Sequence, residues 1–306
     1  MTSPGPAVTR RALLGMAVLV QLAACTRGTP PPSPSAPPPP PPPSPSRQFH
    51  DRLMELEKKF DARLGVYALD TEGGGTVEHR ADERFAFCST FKGVAAAAVL
   101  QRNPLSHLET RVSYSRDDLM KHAPVTGQHV ATGMTIRQLC DAAVRFSDGT
   151  AGNLLLRDLG GPAALTAFTR SLGDTVTRMD RVEPAITEAT PGDLRDTTTP
   201  RAFAADYREI VLGDTLTADK RDFLRDLLQR NATGADRIRA GLPSGWTVAD
   251  KTGTGAYGTL NDIAVVWPPA KAPIVLAIMS SKAAKDAPYD QALLAEAAKY
   301  VAETLT

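Results

Sequence analysis

Ser89-Thr90-Phe91-Lys92 sets a hydroxyl and an amine three residues apart. On a helix, positions i and i+3 share a face, so the two groups meet. A serine becomes a nucleophile at neutral pH only with a base beside it. A lysine can serve when burial or a neighbouring cation lowers its pKa. In the first turn of a helix, backbone N–H groups also point at an anion forming there. Alone the spacing says little. With 14 serines and 10 lysines in 306 residues, chance supplies about half a match. Two more short motifs lie downstream, Ser147-Asp148-Gly149 and Lys251-Thr252-Gly253, and they change that weighing.

The elements that must position these groups read as mixed helix and strand. Phe49, Leu53, Leu56 and Phe60 recur at helical spacing, which predicts an amphipathic helix of about three turns. Leu64 to Leu69 reads as a strand, with Gly73-Gly74-Gly75 as a turn into another near Val77. Ser89 opens an alanine-rich stretch to Leu100 that reads as a buried helix. Helical periodicity then runs to about Leu228, including Ile136 to Phe146 and Ala164 to Leu172. One irregular segment, Arg181 to Pro200, interrupts it. Strands return at Thr247 to Gly253, Asp262 to Trp267 and Ile274 to Met279, the last two as a hairpin, before a closing helix from Tyr289 to Thr304. Strands near both ends with helices between predict an α+β fold of two lobes. The expected α/β lobe is 47–86 with 231–306, an antiparallel sheet flanked by terminal helices. The expected all-helical lobe is 87–230.

The first 46 residues belong to neither lobe. Arg10 and Arg11 precede an apolar run, Ala12 to Ala24, which is shorter than the roughly 20 residues a spanning helix needs. A positive flank, a short apolar core and small residues at its end predict a signal peptide over residues 1–25. Leu22-Ala23-Ala24-Cys25 resembles a bacterial lipoprotein cleavage box, with Cys25 as the lipidated residue. Thr9-Arg10-Arg11-Ala12-Leu13-Leu14 resembles a twin-arginine signal. Export is therefore expected, to the outer face of the cytoplasmic membrane or into the medium. Residues 26–46 follow as a tether, with 12 of the chain's 25 prolines between Pro30 and Ser46. In the remaining 260 residues, 32 basic residues face 34 acidic ones, a formal charge of −2. That balance argues against a nucleic-acid partner. Composition excludes collagen, coiled coil and a polytopic membrane protein. The histidines (His50, His79, His107, His122, His129) lack metal-ligand spacing and no Cys-x-x-Cys pair exists, so no metal is expected. Cys88 and Cys140 could pair as a disulfide or remain two buried thiols.

The three motifs, in this order, resemble those of the serine β-lactamase and penicillin-binding protein superfamily, whose set is Ser-x-x-Lys, Ser-Asp-Asn and Lys-Thr-Gly. A fourth element, Arg181-Val182-Glu183-Pro184 followed by Pro191 to Pro200, resembles the omega loop of class A β-lactamases. The likeness spans 47–306 and is to an actinobacterial-like, lipoprotein type. It implies hydrolysis of the β-lactam amide of penicillins and cephalosporins, hence antibiotic resistance, by a monomer needing no cofactor. By resemblance, Ser89 attacks the carbonyl and becomes acylated, and the backbone N–H groups of Ser89 and Thr254 hold the oxyanion. Lys92 is a base or proton relay, Ser147 passes a proton to the leaving nitrogen, and Glu183 activates the hydrolytic water. Lys251, Thr252, Gly253 and Thr254 bind the substrate, its carboxylate meeting cation and hydroxyls.

Departures from that pattern are expected to matter. Gly149 replaces the usual Asn of the second motif and should leave a roomier site. Thr187 stands where the family usually has an Asn helping to hold the water. Leu260 stands where many members carry an arginine for the substrate carboxylate, and Arg237 resembles the substitute some members use. A loop-surface charge is the plainer reading of Arg237. Arg181 and Asp196 resemble the pair closing the omega loop; two solvated charges are the plainer reading. His122 falls where members often place a ring at the site's mouth, and a surface histidine reads equally well. Two other functions compete: a DD-peptidase that deacylates slowly, and a tethered β-lactam sensor that traps its adduct. Glu183 in its loop favours the hydrolase over both.

Overall fold

The apolar runs near the C-terminus form the middle of a five-stranded antiparallel sheet. A computed structural model describes residues 45–306, with side-chain surroundings from residue 51. The expected signal peptide, Cys25 and most of the tether lie outside the described residues.

Helix α1 (Pro45–Phe60) leads into β1 (Arg63–Asp70) and β2 (Thr76–His79). Pro45 and Ser46, expected to end the tether, are its first two residues. A short strand β3 (Phe85–Ala86) precedes a single 3-10 turn, Cys88–Thr90, and α2 (Phe91–Arg102). Strands β4 (Arg111–Val112) and β5 (Met134–Thr135) pair as a small ribbon. Helices α3 (Ile136–Arg145), α4 (Gly149–Leu159) and α5 (Pro162–Ser171) follow. Strand β6 (Thr197–Thr198) pairs with β3. Helices α6 (Pro200–Val211), α7 (Ala218–Gln229) and α8 (Ile238–Gly241) lead back to β7 (Thr247–Thr254), β8 (Leu260–Trp267), β9 (Ile274–Ser281) and α9 (Ala292–Leu305).

The sheet order is β2-β1-β9-β8-β7, so strands from both ends of the described chain share one sheet. Strands β8 and β9 are buried along nearly their whole length because both sheet faces are covered. Their side chains alternate between two cores. Val275, Ala277 and Met279 face the larger one with Phe203 and Tyr207. Ile274, Leu276 and Ile278 face the other, with Leu53 and Leu56 of α1 and Leu294 and Val301 of α9. Helices α2 to α7 occupy the interval between the sheet's two halves. The architecture is α+β, as expected.

Two differences from the expectation have local causes. Between α2 and α3 the chain forms short 3-10 turns and the β4–β5 ribbon rather than continuous helix. Pro104 and Pro124 cannot donate a helical N–H, and Gly133, at φ +64°, turns the chain where a side chain would be strained. The closing helix starts at Ala292, after the bonds of Leu293 N–H and Ala292 N–H to Asp290 set its first turn. Cys88 and Cys140 are free, buried thiols, and burial pushes both up to about 12.

Candidate active site

Ser89 lies in the 3-10 turn just before α2, not inside the helix itself. Cys88 immediately before it has φ +48°, a left-handed conformation costly for a side-chain-bearing residue. That kink carries the chain from β3 into α2 with Ser89 at the bend. Lys92 sits in the first turn of α2, completely buried. Its Nζ donates to Ser89 Oγ at 2.9 Å and to the Ser147 carbonyl at 2.8 Å. Ser89 Oγ in turn donates to Glu183 Oε1 at 3.1 Å. Lys92 Nζ lies 2.6 Å from that same Oε1. Burial holds the Lys92 ammonium below the ordinary lysine range, although Glu183 pulls the other way.

Glu183 comes from the irregular segment, and two devices place it. Asn153 on α4 clamps its main chain: Asn153 Nδ2 donates to Glu183 O at 2.9 Å, and Glu183 N–H donates to Asn153 Oδ1 at 3.0 Å. Arg181 and Asp196 close the segment's two ends. Arg181 Nε donates to Asp196 Oδ2 at 2.5 Å, while Asp196 Oδ1 accepts from the N–H groups of Asp180 and Arg181. Asp196 is buried, so the solvated-charge reading fails for this pair. The Thr187 hydroxyl donates to the Pro184 carbonyl at 2.7 Å, which leaves its lone pairs free.

Ser147 also adopts φ in the left-handed region, +56°. This turns its carbonyl to Lys92 and its hydroxyl to Lys251, whose Nζ donates to Ser147 Oγ at 3.1 Å. Asp148 caps α4 through Ala151 N–H and binds Val125 N–H, Thr126 N–H and the Thr126 hydroxyl. Its acceptors are spent on three backbone N–H groups and one hydroxyl, a structural role. A Cβ at Gly149 would strike Glu183 Oε2 and come within 3.1 Å of Met120 Cβ. The Glu183 carboxylate thus fills the place a side chain would need, so the glycine accommodates the carboxylate and the expected extra room beside it is absent. His122 is exposed at the rim: its ring Nε2 is 3.1 Å from Phe146 O, and its carbonyl accepts from Gly149 N–H.

Strand β7 forms the opposite wall. Lys251 is fully buried, and burial lowers its pKa to about 7, with the Lys92 charge pushing the same way and Asp250 opposing. The Thr252 hydroxyl meets Thr233 Oγ1 at 2.5 Å. Gly253 has no room for a side chain: a Cβ would lie 2.7 Å from Phe87 O. Arg237 is buried rather than a surface charge. It donates to Gly253 O, Asn261 O and Thr254 Oγ1 at 3.0, 2.8 and 2.8 Å. Leu260 is buried in the sheet's core. The arrangement brings Ser89, Lys92, Ser147, Glu183 and Lys251 into one hydrogen-bonded chain, with Thr252, Gly253, Thr254 and Arg237 along the adjoining strand. It can activate a hydroxyl and attract an anion.

Sequence reasoning overlooked Asn153 and Thr233. Asn153 stands four residues after Gly149, on the same helix face, and that spacing was the available signal. Nothing local marks Thr233.

The family model described as "Beta-lactamase enzyme family" matches residues 48–305. A β-lactamase of Mycobacterium tuberculosis is 53% identical over 305 residues, covering 97% of each chain. The β-lactamase structure from Streptomyces albus G has TM-score 0.83 and 50% identity, covering 85% of this chain and 100% of that one. The class A β-lactamase structure from Clostridium kluyveri DSM 555 has TM-score 0.83 and 47% identity, covering 84% and 98% respectively. With a serine, two buried lysines and a loop carboxylate joined in one network, and with likeness over the whole described body, the chain belongs to the class A β-lactamases, serine hydrolases of the β-lactam amide.

Proposed function

We propose that Ser89 opens the β-lactam ring of penicillins and cephalosporins and that Glu183 frees the resulting acyl-enzyme. The carrying observation is that Ser89 Oγ is bonded by Lys92 Nζ at 2.9 Å and donates to Glu183 Oε1 at 3.1 Å. In acylation, Ser89 Oγ bonds to the ring carbonyl carbon and the ring C–N bond breaks. The hydroxyl proton leaves toward the Glu183 carboxylate, the acceptor it already faces. That proton then passes from Glu183 by way of Lys92 and the Ser147 hydroxyl to the departing nitrogen, which leaves Glu183 a carboxylate again, while the Lys251 ammonium keeps the local potential positive. In deacylation, Glu183 takes a proton from a water whose oxygen attacks the ester carbon, and returns it to Ser89 Oγ as the ester C–O bond breaks. Gly149 lets the Glu183 carboxylate lie directly against the start of α4. The backbone N–H groups of Ser89 and Thr254 serve as the oxyanion hole. Lys251, Thr252, Thr254 and, behind them, Arg237 attract the substrate carboxylate, with Gly253 letting β7 approach Ser89.

The test is a mass measurement on intact protein. Glu183→Ala should accumulate a penicillin adduct, and Ser89→Ala should show neither adduct nor hydrolysis. Parental turnover in Glu183→Ala would remove the water-activating role. The amino-terminal signal and Cys25 support an exported, lipid-anchored protein, a reading that cell fractionation with and without Cys25→Ala tests.

A further inference from the structure

Behind the omega loop, away from Ser89, lies an open cavity of about 840 Å³, within the size range of small-molecule sites. Its floor is largely apolar, formed by Ala62, Ala86, Ala189, Pro191 and Ala283, with the Phe85 ring beneath the Arg63 guanidinium. Its charges are unbalanced. Glu57 and Glu83 are taken by Arg80 and Arg63, and Asp193 by Arg195. Lys58, Arg84 and Lys282 have no carboxylate partner among the described residues. Arg84 bonds only neutral oxygens, Thr197 Oγ1 and Val176 O, at 2.9 and 3.0 Å. Against these three cations stands one unpaired carboxylate, Asp61. Thr259 also lines the cavity, and its buried hydroxyl has no hydrogen-bond partner among the described residues.

We propose that this cavity is a second binding site, for a small amphipathic organic anion: an apolar ring body with one carboxylate or sulfonate. The body lies on the alanine and proline floor, and the anion meets Arg84 and Lys282. The site adjoins the catalytic machinery without sharing a residue with it. Ala189 to Asp193 continue the loop that carries Glu183. Thr259 O accepts from Gly255 N–H, and Ala256 N–H donates to Thr187 O, so one turn joins this cavity to the lip beside Thr254.

The probe is 8-anilinonaphthalene-1-sulfonate, titrated into the active enzyme by fluorescence and by amide NMR shifts. One molecule should bind per chain, with shifts centred on Ala189, Thr190, Gly192 and Thr259. Arg84→Gln with Lys282→Gln should weaken it about fivefold, two half-buried charges contributing modestly. If Arg84→Gln loosens β3, Lys58→Gln with Lys282→Gln gives the same comparison. Hydrolysis of a chromogenic cephalosporin should show no competition by the probe. Competitive inhibition, shifts centred on Ser147 and Lys251, non-saturating adsorption, unchanged affinity in the charge variants, or no binding would each overturn the proposal.

Discussion

Lys251 loses its hydration on entering β7, and that loss lowers its pKa to about 7. Below that pH it is an ammonium; above it, a neutral amine that no longer attracts a carboxylate. For a penicillin, kcat/KM should therefore fall as pH rises through about 7, with KM carrying most of the change, because kcat/KM reports the free enzyme. A profile flat from about pH 6 to about pH 9 would mean that Lys251 keeps its proton. Arg237 makes a separable contribution. It is buried and donates to Gly253 O, Asn261 O and Thr254 Oγ1. Arg237→Ala should raise KM about tenfold, the equivalent of about 1.4 kcal/mol. Melting temperature should fall too, because these three acceptors and Gln291 Oε1 lose their donor. An unchanged KM with a lowered melting temperature would make Arg237 a brace for β7 and nothing more.

At the level of elements, the irregular segment between α5 and α6 is held by its ends. Asp196 is buried, at φ +55°, and receives Arg181 Nε together with two backbone N–H groups. Removing it leaves Arg181 to Glu188 and strips two backbone N–H groups of their acceptor, which costs about 1–3 kcal/mol. Asp196→Ala should therefore keep a rapid acylation burst but lower steady-state turnover about a hundredfold, as Glu183 drifts from its position. Burst kinetics with a chromogenic cephalosporin measures both phases. Parental turnover would show that the Asn153 clamp alone suffices. Most regular elements were readable in advance because their periodicity is local: α1, β1, α3 and the β8–β9 hairpin each carry an apolar repeat. The stretch between α2 and α3 was not, since its prolines and glycines override a weak helical pattern.

Across the whole molecule, the site is a seam between the sheet's edge and the turn before α2. At Gly253 the two backbones come so close that an added Cβ would lie 2.7 Å from Phe87 O and 3.1 Å from Thr90 Cγ2. Gly253→Ala should push β7 from Ser89, costing about 1–3 kcal/mol. It should lower the pre-steady-state acylation rate along with the melting temperature. A normal acylation rate would mean that the seam tolerates the shift. By itself the sequence determined which reactive groups to look for and in what order they occur. Ser89 and Lys92 are three residues apart, and a helix brings that spacing together without help. Tertiary structure alone decided what those groups experience. Glu183 reaches Ser89 across 94 residues, and Lys251 reaches Ser147 across 104. Burial there turns Lys251 into a near-neutral titrating group and makes Arg237 an interior donor. Dehydration and long-range pairing depend on every packed neighbour, so no local pattern of residues encodes them.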